Sequence, residues 1–592
     1  MAPPFRLVVL TALAGSLFGG CATAPPVTKL VNGRQITTRS IDPQAYEHVS
    51  RALLYEDQDR FEDAAAEIER AIVLDSESPE LHAHLAELML RMGRIHDAAA
   101  QVRDSFKIAV TAPGLLADAH VRGVKGDAAG MVTALRKARD EVSFDADDDD
   151  AETVYLELAD AELRNLDVPA ARSTLEVLTS AEPESGTGHM RLTAIYWAQG
   201  EMRKAEAQLR RALEQEPNQI DALAALAWIY VATGQEEKAH QAFQEALDRS
   251  ESSPEIGAAY ARFMVGIGEA KAAGQLADDL AVPDSSLDAE TIGARVGIER
   301  SARRFDRALA LLDRARALGI PDNEKSRLSL TRAAILKEQG KTQEAIDTLL
   351  ALPRSSPLYF EARLRAADLL RDAGKLAEAA RTVEAATTEA TGDRDTIELE
   401  SALSLAIIDE RRGDPAAGIA RLTKLLERRP DEGRAVMIRA ALEERRGNWQ
   451  RALETVEAYL ATHLGSVEAL NFWGFVAVDH DHALELANKR LQVANALEPG
   501  SGGLIDSLGW GRFHSKDLTG AAMFLGQAVR LEPTDPEIQW HLGEVCARRN
   551  ETARAESLYR RALVSLANRP DARLRKRIEA SLARLGARKQ EK

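Results

Sequence analysis

Four stretches of this chain carry residue types that could do chemistry. The run Asp145 to Asp150, broken only by Ala146, offers the carboxylate oxygens that hard cations such as calcium prefer. It lacks the glycine and the closing glutamate of a helix–loop–helix calcium loop, so a solvated acidic linker is expected. Asp479-His480-Asp481-His482 has the ligand types of a zinc site. It falls where a polar turn is due, and a turn is expected. Gly500-Ser501-Gly502-Gly503 is glycine-rich but follows a helical pattern, not a strand, so it is not a phosphate cradle. The two cysteines, Cys21 and Cys546, are too far apart in sequence and context to build a disulfide framework or a zinc site. No serine, cysteine or histidine sits in a nucleophile motif. No catalytic constellation, metal or cofactor is expected, and the chain reads as a non-enzyme.

The elements that position these residues recur. Sliding the sequence by 34 residues superposes small residues on small residues. Leu192, Tyr196, Gly200, Ala205 and Ala212 return as Leu226, Tyr230, Gly234, Ala239 and Ala246. Pro183 matches Pro217, and Pro499 matches Pro533. Gly509, Ala521 and Ala528 return as Gly543, Ala555 and Ala562. Each position has a physical reason. The early small residue (Ala86, Ala227, Gly509, Gly543) lets helix A approach helix B. The glycine seven residues later ends helix A in a left-handed cap. The two alanines of helix B admit its partner helices, and proline stops helix B because it lacks an N–H. This pattern resembles the tetratricopeptide repeat. It implies an all-α solenoid of antiparallel helix pairs, with about fifteen units.

A single core does not grow to 592 residues, which agrees with an array. Aromatics make up only 5% of the chain and the net charge is −17. Such a body repels nucleic-acid phosphates, so no nucleic acid is expected as a partner, and no small-molecule substrate. The layout is 1–20 export signal, 21–43 flexible tether, 44–142 repeats, 143–152 acidic linker and 153–280 repeats. Then come 281–465 repeats, partly degenerate, 466–566 C-terminal repeats and 567–592 a basic capping helix. Matches are weak over 100–150 and 281–325, where Pro283 and Pro321 punctuate the chain, and the array could bend there.

The N-terminus reads as an address. Arg6 precedes an apolar run from Leu7 to Phe18, then Gly19, Gly20 and Cys21. The run is too short for a stop-transfer helix. It resembles a bacterial lipoprotein signal, in which Cys21 would receive the lipid. Ala22 follows where aspartate would favour inner-membrane retention. The expected location is therefore the periplasmic face of the outer membrane, with lipid as the anchor.

In a repeat of this type, helix A positions 2, 5, 9 and 12 face the concave groove. Counting from the small residue at position 8 puts Trp228, Phe475, Trp510 and Glu544 at 9, and Trp197 and Phe513 at 12. Asn471, Asp506 and Trp540 fall at 5. Rings among hydrogen-bonding groups are what binding hot spots use, so these nine residues are the candidate partner groove. Packing between repeats is the competing role for each ring.

The last repeats read Ala469-Leu-Asn-Phe-Trp-Gly-Phe475, Leu504-Ile-Asp-Ser-Leu-Gly-Trp-Gly-Arg-Phe513 and Pro536-Glu-Ile-Gln-Trp-His-Leu-Gly-Glu-Val545. They resemble a family of bacterial tetratricopeptide lipoproteins with LNxxGY, DSLGW and HLGDV motifs. This chain departs from them at Phe475 and Val476. Some members act as periplasmic adaptors that hold a carboxyl-terminal processing protease against substrates, including cell-wall hydrolases. The resemblance implies protein partners: a protease, a hydrolase or an envelope-assembly subunit. The alternative it leaves is a structural lipoprotein of an envelope machine, such as a pilus, secretin or polysaccharide exporter.

Overall fold

A computed structural model describes residues 27–31, 34–38, 41–144, 150–280, 289–317, 322–566 and 571–590. The export signal, Cys21, the acidic residues 145–149, Pro283 and Pro321 lie outside the described residues. The chain divides into two compact units, Met1–Val121 and Arg122–Lys592. The boundary falls in the helix Ala112–Val124, within the stretch of weak repeat matches.

The first unit differs from expectation near its start. Val27–Val31 and Arg34–Thr38, expected as part of a flexible tether, form an antiparallel hairpin with Val27 opposite Thr38 and Val31 opposite Arg34. The strands are rich in β-branched residues, and the sequence between them is Asn32-Gly33, the dipeptide that two-residue hairpin loops favour. After the hairpin come the helix pairs Pro43–Glu56 with Phe61–Leu74 and Pro79–Arg91 with Ile95–Ile108. They share one core built on Ala64, Ile68, Leu85 and Ala86.

The second unit is helical throughout its described residues. Helix starts are encoded locally. Ser253, Ser466 and Ser501 cap A helices by accepting a backbone N–H, and Asp127, Asp414 and Asp517 do the same for B helices. The two helix classes bury different faces. The A helix Ile220–Thr233 buries Ala222, Leu223, Leu226, Ala227, Ile229, Tyr230 and Val231, because it packs on both sides. The B helix Met202–Gln215 buries only Ala205, Gln208, Leu209 and Ala212, one stripe at helical spacing.

The small positions do what their spacing predicts. Ala86, Ala227, Ala205, Ala239, Ala212 and Ala246 are fully buried. At Gly509 an added Cβ would lie 3.0 Å from the backbone nitrogen of Leu525 on the facing B helix. The weakly matched stretches are helical too, with Ala128–Glu141 in one and Ala289–Ser301 and Phe305–Ala317 in the other.

The second unit also returns on itself. Helix Gly186–Ala198 packs on Leu484–Leu497, and Ile220–Thr233 packs on Leu518–Leu531. One continuous core therefore joins residues near 159–302 to residues near 440–585. No described helix is long and apolar enough to cross a membrane.

Candidate functional site

The C-terminal repeats concentrate the unusual residues. Their A helices are Val467–Asp479, Gly502–His514 and Pro536–Arg548, and the repeat before them adds Gly433–Arg445. Trp510 lies at the centre. Its ring stacks on His541 at 4.1 Å and Phe513 at 4.9 Å, and meets Trp540 at 5.4 Å. Its indole N–H donates to Asp479 Oδ1 at 3.4 Å. Below the rings His541 Nδ1 pairs with Asp506 Oδ2 at 2.8 Å, with the imidazole fully buried. Phe475 approaches the same imidazole at 6.1 Å.

The last helix, Ala572–Gln590, lies over this cluster. The sequence marks it as an end cap, and it does pack on Thr552–Ser565 and Pro536–Arg548. It also reaches back along the A helices. Arg573 donates to Glu444 at 3.0 Å, and Arg577 to Asp479 at 2.8 Å with its guanidinium 4.3 Å over the Trp540 ring. Trp540 donates its indole N–H to Ser581 Oγ at 3.1 Å. Glu544 accepts from Tyr559, Ser581 and Arg584.

The electrostatics follow from that cover. Burial alone would push the Asp479 carboxyl up, but the Arg577 guanidinium more than offsets it and holds the carboxyl below its ordinary range. Burial opposes charge on His541, yet the Asp506 carboxylate wins and raises its pKa. Burial pushes the Cys546 thiol up to about 11, so it stays protonated and packs as a small apolar group.

The nine candidate groove residues therefore sit among neighbours. Trp197, Trp510 and Trp540 are 4% exposed and Asp506 is 5% exposed. Trp228, Asn471, Phe475, Phe513 and Glu544 are partly buried. The physical reason is that tryptophan gains most when its ring is buried and its N–H finds an acceptor, and neighbouring elements supply both. Trp197 belongs to a different contact from the C-terminal cluster: its N–H donates to Gln527 Oε1 at 3.3 Å, where the second unit meets itself. Trp228 packs edge-on against Phe243 at 5.4 Å. The cluster proper is Phe475, Asp506, Trp510, Phe513, Trp540 and Glu544. Two buried polar atoms beside it, Asn471 Oδ1 and His541 Nε2, have no hydrogen-bond partner among the described residues.

The other chemistry-bearing stretches are engaged in structure. Asp479 serves Trp510 and Arg577, and His480 stacks on Trp449 at 4.8 Å. Asp481 pairs with His514 at 2.8 Å, and His482 meets Trp449 at 5.3 Å. Ser501 caps its helix. No group of three or more His, Cys, Asp or Glu among the described residues could hold a metal ion. Sequence reasoning missed Glu444, Asp479, Arg573, Arg577 and Arg584 as members of the site. The legible signal was the Arg573, Arg577, Ser581, Arg584 spacing, which puts four polar groups on one helix face.

Comparison with known proteins agrees with this architecture. Tetratricopeptide-repeat models match residues 196–262, and also 49–109, 298–357, 330–394, 403–465 and 517–573. The chain is 26% identical over 210 residues to the TPR repeat-containing protein PA4667 of Pseudomonas aeruginosa, a match covering 36% of this chain and 35% of that protein. Among solved structures it is similar to the APC/C hetero-tetramer Cut9–Hcn1, with 14% identity, a TM-score of 0.32, and 92% and 96% of the two chains covered. It is also similar to TTC0263, a TPR protein of Thermus thermophilus, with 22% identity, a TM-score of 0.28, and 31% and 98% covered. Both scores are low, and neither likeness bears on function. The repeat models together match more than half of the chain, and the chain belongs to the tetratricopeptide-repeat family.

Proposed function

We propose that the protein is a lipid-anchored scaffold of the bacterial periplasm that presents protein partners to a cell-envelope protease or peptidoglycan hydrolase. Its family is a protein-interaction fold, typically non-catalytic. The observation that carries the reading is the C-terminal cluster, where aromatic rings and acidic groups gather on successive A helices and a helix lies against them. Solenoids offer extended concave binding surfaces, and a helix laid in a groove is a recurring mode of protein recognition. The lipoprotein-like N-terminus and the motifs of residues 466–566 support the envelope setting.

The test is crosslinking in membranes followed by affinity purification and mass spectrometry. An envelope protease or hydrolase should be recovered. Repeated recovery of a pilus, secretin or exporter subunit instead would count against the adaptor role. The anchor is tested separately: Cys21→Ser should release the protein from membranes, and continued membrane association would refute it.

A further inference from the structure

The C-terminal helix is held in an unusual way for an end cap. Its apolar hold on the core is one narrow stripe, Leu574, Ile578, Leu582 and Leu585. The rest of the contact is polar and one-sided in charge. In the three ion pairs described, the cation comes from the helix and the carboxylate from the repeats. Arg573, Arg577 and Arg584 keep 57%, 32% and 63% of their side-chain surface exposed, whereas Glu444, Asp479 and Glu544 keep 17%, 15% and 15%. The acids are thus built into the repeat face, the outer two arginines reach in from solvent, and Arg577 lies half-buried between them over the Trp540 ring. A half-open crevice of about 360 Å³ lies at this contact, between Glu544, Arg548, Tyr559, Ser581, Arg584 and Leu585.

A half-buried carboxylate without a cation is costly. If this helix leaves, whatever replaces it must bring positive charge to the same three places. We infer that the face formed by Glu444, Asp479, Trp540 and Glu544 is a docking surface for a basic amphipathic helix of a partner protein, with the chain's own C-terminal helix as its displaceable occupant. The inference rests on the scaffold reading and names the partner's chemistry. The recognised pattern is the one the occupant displays: arginine, arginine four residues on, a small hydroxyl four further, and arginine three beyond that. Trp540 reads the second arginine by its ring and the hydroxyl by its N–H.

The probe is a fluorescent peptide of the sequence of residues 571–590, added to the full chain and followed by anisotropy. Wild-type chain should bind it weakly, because the tethered copy competes. The double reversal Arg577→Glu with Arg584→Glu in the chain should open the seat and bind the peptide at least tenfold more tightly. Adding Glu544→Lys should remove that gain, and a peptide carrying its own Arg584→Glu change should recover part of it. Equal binding to wild-type and opened chains, or tight binding that survives Glu544→Lys, would overturn the proposal. So would a wild-type dimer that the double reversal dissolves, since the occupant would then be a second copy. If the reversal does not fold, hydrogen exchange on wild type decides. Residues 572–586 should exchange at least tenfold faster than Pro536–Arg548, and equal protection would defeat the displaceable helix. Failure of the peptide to bind leaves the adaptor role standing; failure to capture an envelope partner leaves the docking surface standing.

Discussion

Trp197 donates its indole N–H to Gln527 across 330 residues of chain. Nearby, Arg530 donates to the carbonyl of Ala232 at 2.7 Å, so this contact is stitched by side chains on both repeats. Gln527 is 2% exposed. Gln527→Ala leaves a buried indole N–H unsatisfied, which costs about 1–3 kcal/mol. The expected result is faster hydrogen exchange in Gly186–Ala198 and Leu518–Leu531, with far repeats such as Tyr359–Asp372 unchanged. Uniform change along the chain would mean the contact is not local.

Gly126 and Gly340 both end A helices with positive φ, at 75° and 78°. Alanine at Gly340 meets open space, so only the left-handed backbone costs, about 1–2 kcal/mol. At Gly126 a Cβ would run into the carbonyl oxygen of Ala461, where the second unit meets itself. Backbone cannot yield as a flexible side chain does, so Gly126→Ala should cost about 1–3 kcal/mol more than Gly340→Ala. Parallel urea unfolding of the two variants measures the difference, and equal midpoints would contradict the clash.

These two pairs mark the limit of what the sequence could show. The repeat is legible because Ala205, Ala239, Gly509 and their counterparts answer to neighbours a few residues away, or one repeat away, at fixed spacing. The helix A register puts Trp197 in the groove, but its true acceptor depends on how many repeats close one turn, which no local pattern records. The hairpin at 27–38 hides within a polar, tether-like composition, although Asn32-Gly33 between β-branched runs is a local signal for it. The C-terminal helix is legible as basic and amphipathic. Its seat is not, because Glu444 and Asp479 lie 129 and 98 residues from Arg573 and Arg577.

Trp510 has groove spacing in the sequence, and the structure makes it a core residue in contact with Asp479, Phe513, Trp540 and His541. Trp510→Ala should therefore destabilise the C-terminal repeats by about 3–5 kcal/mol, the range for a fully buried large aromatic. Trp228 is only partly buried and should cost less on the same change. Thermal melts read by near-ultraviolet circular dichroism separate the two. A Trp510→Ala chain with unchanged melting and weakened partner binding would restore the ring to the groove.

The buried His541–Asp506 pair makes the stability of the C-terminal repeats depend on pH. The raised pKa of His541 means that the folded state holds a proton the unfolded chain releases near 6.5. The contribution is fully present below that value and is lost as pH rises through the folded pKa. The other charges facing the ring do not reverse this. Glu537 favours the imidazolium and Arg577 opposes it. Glu537 has its own pKa raised by burial, so its contribution also falls as pH rises above the ordinary carboxylate range and acts in the same direction. Hydrogen-exchange stability of Pro536–Arg548 should fall by up to about 1.4 kcal/mol per pH unit above 6.5 while His541 titrates. His541→Gln keeps a polar ligand for Asp506 but cannot bind the proton, so its profile should flatten over that window. A variant that retains the wild-type slope would show that another group sets it.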